Sequence, residues 1–142
     1  MKPVKHSVAV IVRDEGGRFL VVKRPDDPED PLARVWGFPA ITLHHDEPER
    51  PGVLRTGLAK LGVALVAGRK IGEMTADRGG YLLHLSDYEA MIVSGTPSVP
   101  QADTSMTQYV DWRFTDDPAI LDEAAAKGSL CAQIFLANGV DP

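Results

Sequence analysis

The chain has 142 residues, 44% of them hydrophobic and 25% charged, the proportions of one soluble globular domain with a sizeable core. Its net charge of −5 argues against a nucleic-acid backbone as the main partner. No apolar run approaches the roughly 20 residues that a membrane span needs, and with Cys131 as the single cysteine an internal disulfide is excluded.

The N-terminal MKPVKHSVAVIV has two lysines before an apolar run, but that run is too short for a secretory leader and is interrupted by Arg13-Asp14-Glu15. β-Branched residues predict strands over 6–13 and 18–24, joined at Glu15-Gly16-Gly17 as a hairpin. The prolines and acids of PDDPEDPLAR predict a surface loop over 25–35, of a length that is often functional. An extended apolar stretch, 35–43, leads to a helix over 48–62 that opens on proline and closes on glycine. Leu54, Leu58 and Leu61 fall at i, i+4 and i+7 and predict its buried stripe. Gly52 and Gly57 each weaken that helix by about 1 kcal/mol relative to alanine, so it must lean on tertiary packing. Strand segments follow at 63–66 and 69–76, then a turn at Arg78-Gly79-Gly80 and a long strand over 81–93, bulged near Ser86-Asp87. After the loop SGTPSVPQADTS come a last strand over 106–114, a helix from Asp116 through Ala126, and a short helix over 130–137 that buries Cys131. This order is that of an α+β domain with a mixed sheet and helices packed on it, expected to occupy 1–142 as a single unit. The lone thiol fits a reduced, cytoplasmic setting.

Trp36-Gly37-Phe38-Pro39, a short strand, an acid-rich turn and a helix ending in Leu-Gly-Val together resemble the Nudix superfamily, whose signature is G-x5-E-x7-R-E-U-x-E-E-x-G-U with U aliphatic. The resemblance covers most of the chain. It implies an α/β/α sandwich with a mixed β-sheet, and hydrolysis of a nucleoside diphosphate linked to another moiety with Mg²⁺ or Mn²⁺. Laid on the signature, Glu47 takes the first glutamate, Arg55 the arginine, and Gly62 and Val63 the closing pair. Ile41 stands where the family has glycine and Gly57 where it has an aliphatic residue. Thr56, Ala59 and Lys60 replace the three metal-binding glutamates, so the box is degenerate. Positions 56 and 60 share a helix face. Carboxylates there would converge on a hard divalent cation that polarises the diphosphate and positions water. Lys60 brings an ammonium instead, and two like charges about 4 Å apart repel by roughly 4 kcal/mol at an effective dielectric of 20.

Three functions compete. In the first, the cleft binds a nucleotide or other diphosphate-containing small molecule with no cofactor. Lys60 and Arg55 meet the diphosphate, Lys23 and Arg24 extend the cationic patch, and Trp36 or Phe38 stacks on a base. In the second, the chain is a nucleotide pyrophosphohydrolase whose Mg²⁺ or Mn²⁺ ligands have moved to the 44–49 turn, with His45 and Glu47, and to Asp87 and Glu89 on the long strand. Glu47 and Glu89 would then be catalytic. His44 and His45 point apart if that segment is extended, which makes joint ligation awkward. In the third, the chain is a protein-interaction scaffold. A homodimer is compatible with each. Beside these stand plainer roles: Arg55 as an ion-pair anchor, Glu47 favoured by the helix dipole, Lys60 as a solvated lysine, and Trp36 and Phe38 as core.

Overall fold

The computed structural model describes residues 1–138; the last four positions of the expected 1–142 unit lie outside the described residues. Strand β1 (Val4–Val12) is apolar at every position from Val8 to Val12, and all five are shut off from solvent. Such a run suits a strand covered on both faces. β1 lies between β4 (Ala40–Thr42), antiparallel, and β6 (Leu82–Ser94), parallel, with β5 (Ala64–Asp77) on the far side of β6. A second sheet places β2 (Phe19–Lys23) between β3 (Trp36–Gly37) and β7 (Asp111–Thr115).

Side-chain alternation sorts the core into two halves. Val8, Val10, Leu20 and Val22 pack on the side of helix α1 (Glu49–Thr56), with Val53 and Leu61. Ala9, Ile11, Phe19 and Val21 pack on the side of helix α3 (Leu130–Asn138), with Ile134 and Phe135. The product is an α/β/α sandwich around a mixed sheet. Cys131 is buried, as its apolar context predicts. Among the described residues, no helix is long and apolar enough to cross a membrane.

Several local expectations change. The turn between β1 and β2 is closed by one bridge, Arg13 to Phe19, and the strands then part into different sheets. Parallel pairing with β6 along the whole of β1, Val4 to Val12, replaces the expected hairpin. The segments at 63–66 and 69–76 are one strand, β5. Its register slips around Lys70, opposite Tyr88 and Asp87, so at that place the extra residues lie on β5, while β6 carries an extra residue at Val93. The last strand starts only at Asp111, because Tyr109 turns inward and its hydroxyl accepts the Ala40 N–H at 3.0 Å. The helix expected from Asp116 is a 3₁₀ turn, Pro118–Leu121, capped by the Asp117 carboxylate, followed by the short helix α2 (Asp122–Ala126).

The leucine stripe is also corrected. Leu54 and Leu58 are 42% and 60% exposed, and only Leu61 is buried. The inward face of α1 and its continuation carries Gly52, Val53, Thr56, Gly57 and Lys60. A Cβ at Gly52 would lie 2.3 Å from Leu43, and one at Gly57 would lie 2.6 Å from Leu65. At these two positions the helix sits too close to Leu43 and Leu65 for a side chain in this packing, and Gly57 stands where the signature has an aliphatic residue.

Candidate functional site

After Thr56 the helix widens into a π-helical turn, Gly57–Leu61, closed by Gly62 in the left-handed region at φ 71°. This turn carries Lys60 inward to 3% exposure. Its ammonium donates to the Thr107 carbonyl and lies 4.9 Å from the centre of the Tyr109 ring. Gln108 fastens the same loop by donating to the carbonyls of Ala59, at 3.2 Å, and Asp103, at 2.7 Å. Lys60 faces a cleft of about 740 Å³ that Arg24, Arg55 and His44 also line. Among the described residues, no aspartate or glutamate lines that cleft. Burial, and then the charge of Arg24, push the Lys60 amine down to about 8, while Asp103 pulls the other way. Asp103 was not singled out by the sequence, and nothing short of the fold brings it near Lys60.

Arg24 is held by Asp30 at 2.8 Å. Arg55 grips Glu47 through two hydrogen bonds of 2.9 and 2.8 Å and donates a third to the Thr42 carbonyl. Lys60 is thus the cleft cation that has no carboxylate at ion-pair distance among the described residues. The Arg55 hydrogen bond first, helped by the His44 N–H, holds the Glu47 carboxyl down at about 2 against its burial. Because that value lies below the unfolded one, the pair stabilises the fold above about pH 4.5 and is lost as pH falls toward 2. Glu47→Gln is expected to cost about 1–2 kcal/mol at neutral pH. Urea unfolding should show the difference from the parent shrinking to nothing in acid.

The residues considered as relocated metal ligands are not brought together. His45 stands 96% exposed beside Asp46. Glu89 is 3.3 Å from both Arg13 and Arg69, on a different groove. Asp87 is fully buried on β6 with neither oxygen hydrogen-bonded. Glu47 is committed to Arg55. The group of ligand-type atoms that does converge is Glu49, Glu73 and His84, within 4.8 Å of one another. Lys70 already supplies the cation there, at 3.1 Å from Glu49 and 2.6 Å from Glu73. The Ser86 and Tyr88 hydroxyls complete Glu49 at 2.6 and 2.7 Å. The β5–β6 register brings Glu73 and His84 together, which no sequence spacing signalled, and the start of α1 adds Glu49, the last residue of the 44–49 turn already considered for ligands.

The Mg²⁺ or Mn²⁺ that the resemblance implies does not fit the donor set on the signature helix. The Thr56 hydroxyl is buried and donates to the Gly52 carbonyl at 2.8 Å. Ala59 has no side-chain donor, and Lys60 is an ammonium. Of the expected aromatic pair, Phe38 is core, 5.0 Å from Phe135 ring to ring, whereas Trp36 is half-buried under the Arg113 guanidinium at 4.3 Å. Both nevertheless border a smaller cavity next to the cleft. Lys23 closes β2 in register with Trp36 and Asp111; it does not line the cleft that Arg24, the next residue, lines.

No protein-family model and no curated protein matches the chain. Solved structures do. The ORF135 protein of E. coli superposes with a TM-score of 0.71 at 21% identity, over 96% of this chain and 91% of that one. A MutT Nudix hydrolase from Burkholderia pseudomallei gives 0.65 at 24% identity, over 85% and 86%. An ADP-ribose pyrophosphatase from Streptococcus suis gives 0.57 at 15% identity, over 78% and 72%. With its paired sheets, its signature helix and helices on both faces, the chain has the fold of the Nudix hydrolases.

Proposed function

We propose that the cleft binds the diphosphate of a nucleotide or another small organic ligand directly through Lys60, with little or no standard metal-dependent hydrolysis. The observation that carries this is a cleft of about 740 Å³ lined, among the described residues, by three cations and no carboxylate, with Lys60 the cation that has no carboxylate at ion-pair distance among them. An ammonium is a competent point-charge partner for a phosphate oxygen. It stands on the helix where carboxylates would otherwise gather a divalent ion. The similar pyrophosphatase from S. suis, named for ADP-ribose, supports a diphosphate as the group recognised. The buried free thiol fits a cytoplasmic setting, and a homodimer is compatible with this function.

Calorimetric titration with ADP in EDTA tests the proposal. Binding is expected without Mg²⁺, and no turnover is expected over a panel of nucleoside diphosphate compounds with Mg²⁺ or Mn²⁺. Metal-dependent turnover abolished by Glu47→Gln or Glu89→Gln would instead establish the hydrolase with relocated ligands. Absence of binding by any diphosphate would leave the protein-interaction scaffold.

A further inference from the structure

Next to the cationic cleft lies a second cavity, of about 180 Å³, bordered by β3, α2 and α3. Arg24, Ala40, Leu85 and Tyr109 line both, so the two spaces share that wall. The Tyr109 ring that forms part of the junction is the one over which the Lys60 ammonium sits. For a diphosphate held at Lys60, the smaller space behind this wall is the neighbouring room for an organic group.

The lining of that space is selective. Val35, Leu83, Leu85, Leu130 and Cys131 make most of it apolar, and among the described residues no carboxylate or side-chain amide lines it. Its polar side chains are each engaged in part. Arg24 is paired with Asp30, and Arg78 donates to the Gly128 carbonyl at 2.8 Å. Ser129 meets the Cys131 sulfur at 3.3 Å, and the Tyr109 hydroxyl accepts from Ala40. The indole N–H of Trp36 is a donor only. A nucleobase placed here would bury several N–H groups against two hydroxyl oxygens and no carboxylate or amide oxygen from the described side chains, a loss that such a site recovers poorly. An apolar group loses nothing of that sort. The size agrees, since apolar cavities of about 150 Å³ hold one benzene ring, whereas a purine with its ribose is far larger.

We infer that the cavity takes a compact apolar group of about five to seven heavy atoms, a branched alkyl, alkenyl or monocyclic aryl chain. The ligand is then an apolar diphosphate ester and not a nucleotide. This rests on the diphosphate-binding function proposed above and names the ligand class within it.

Three diphosphate monoesters that share one charged group separate the two claims: methyl diphosphate, 3-methylbutyl diphosphate and ADP, titrated calorimetrically in EDTA. The branched ester is expected to bind at least about tenfold tighter than the methyl ester, with ADP within about threefold of the methyl ester. Ala124→Leu, which fills the cavity from α2, should collapse that tenfold preference. Leu83→Trp fills it from β6 and serves if the first variant fails to fold. Binding of all three with ADP tightest, or with no gain from the branched chain, would overturn the apolar cavity and leave the diphosphate site standing. Binding of none would overturn both.

Discussion

Asp87→Asn is expected to raise stability at pH 7 by about 3 kcal/mol, with a gap that widens by about 1.4 kcal/mol per pH unit between pH 4 and pH 9. Asp87 lies in the middle of β6, opposite Ala9 on one side and Gly72 on the other, and none of its surface reaches solvent. Neither oxygen has a hydrogen-bond partner. Burial alone pushes its carboxyl up to about 9, against 3.8 in an unconstrained chain. The thiol of Cys131 is pushed up to about 11, by its own burial and then by Asp87. At neutral pH the folded protein holds Asp87 protonated, while the unfolded chain releases that proton. The sign follows: below about pH 4 both states bind the proton and the residue is neutral to stability in this respect. As pH rises, the unfolded state gains by ionising and the folded state does not, until the folded group itself ionises near 9. Asparagine has the same shape and no ionisable proton, but it buries one more N–H than the protonated acid; that costs about 1 kcal/mol at every pH and trims a linkage gain of about 4 kcal/mol at pH 7 to about 3, so the pH dependence of the gap isolates the linkage. Urea midpoints for parent and variant at five pH values, with unchanged m, measure it. Parallel curves would mean that a water or a neighbour satisfies the carboxylate.

Asp87 also marks where the sequence stops being informative. Its neighbours in the chain, Ser86 and Tyr88, read as ordinary strand residues, and nothing local says that a carboxylate between them points into the core. β1 was legible because five consecutive apolar residues can be satisfied only between two covered faces. The Nudix fold was legible because Trp36 to Pro39, Glu47, Arg55 and Gly62 keep their spacing through the loop and helix. The face of that helix was not legible. Hydrophobic periodicity assumes that the largest apolar residues face inward, but here the helix lies so close to Leu43 and Leu65 that glycines face in and leucines face out. The π turn then shifts the phase by which Lys60 would have been placed on the surface. The partners of Lys60, namely Thr107, Tyr109 and Asp103, come from a loop more than forty residues on, and no spacing rule connects them.

Lys60→Met is expected to stabilise the protein by about 2 kcal/mol at pH 7 while weakening diphosphate binding about 30-fold. The amine is lowered to about 8 in the fold and returns to 10.5 on unfolding. The cost of burying the ammonium is therefore fully present below pH 8, shrinks as pH rises from 8 to 10.5, and is absent above that. Methionine fills the same volume without the charge, but it leaves the Thr107 carbonyl without its donor, which trims the gain. Binding runs the other way. The diphosphate needs the protonated amine, so affinity for the parent should decline as pH rises through about 8, whereas the methionine variant should bind weakly at every pH. Thermal or urea unfolding and calorimetric titration on the same two proteins read both effects. A lysine kept only to hold the 95–108 loop would give the opposite pairing: its loss would destabilise the fold and leave diphosphate affinity untouched. The coupling of higher stability with lost binding is what separates a cation retained for its ligand from one retained for packing, because only the ligand can offset the cost of keeping that charge buried.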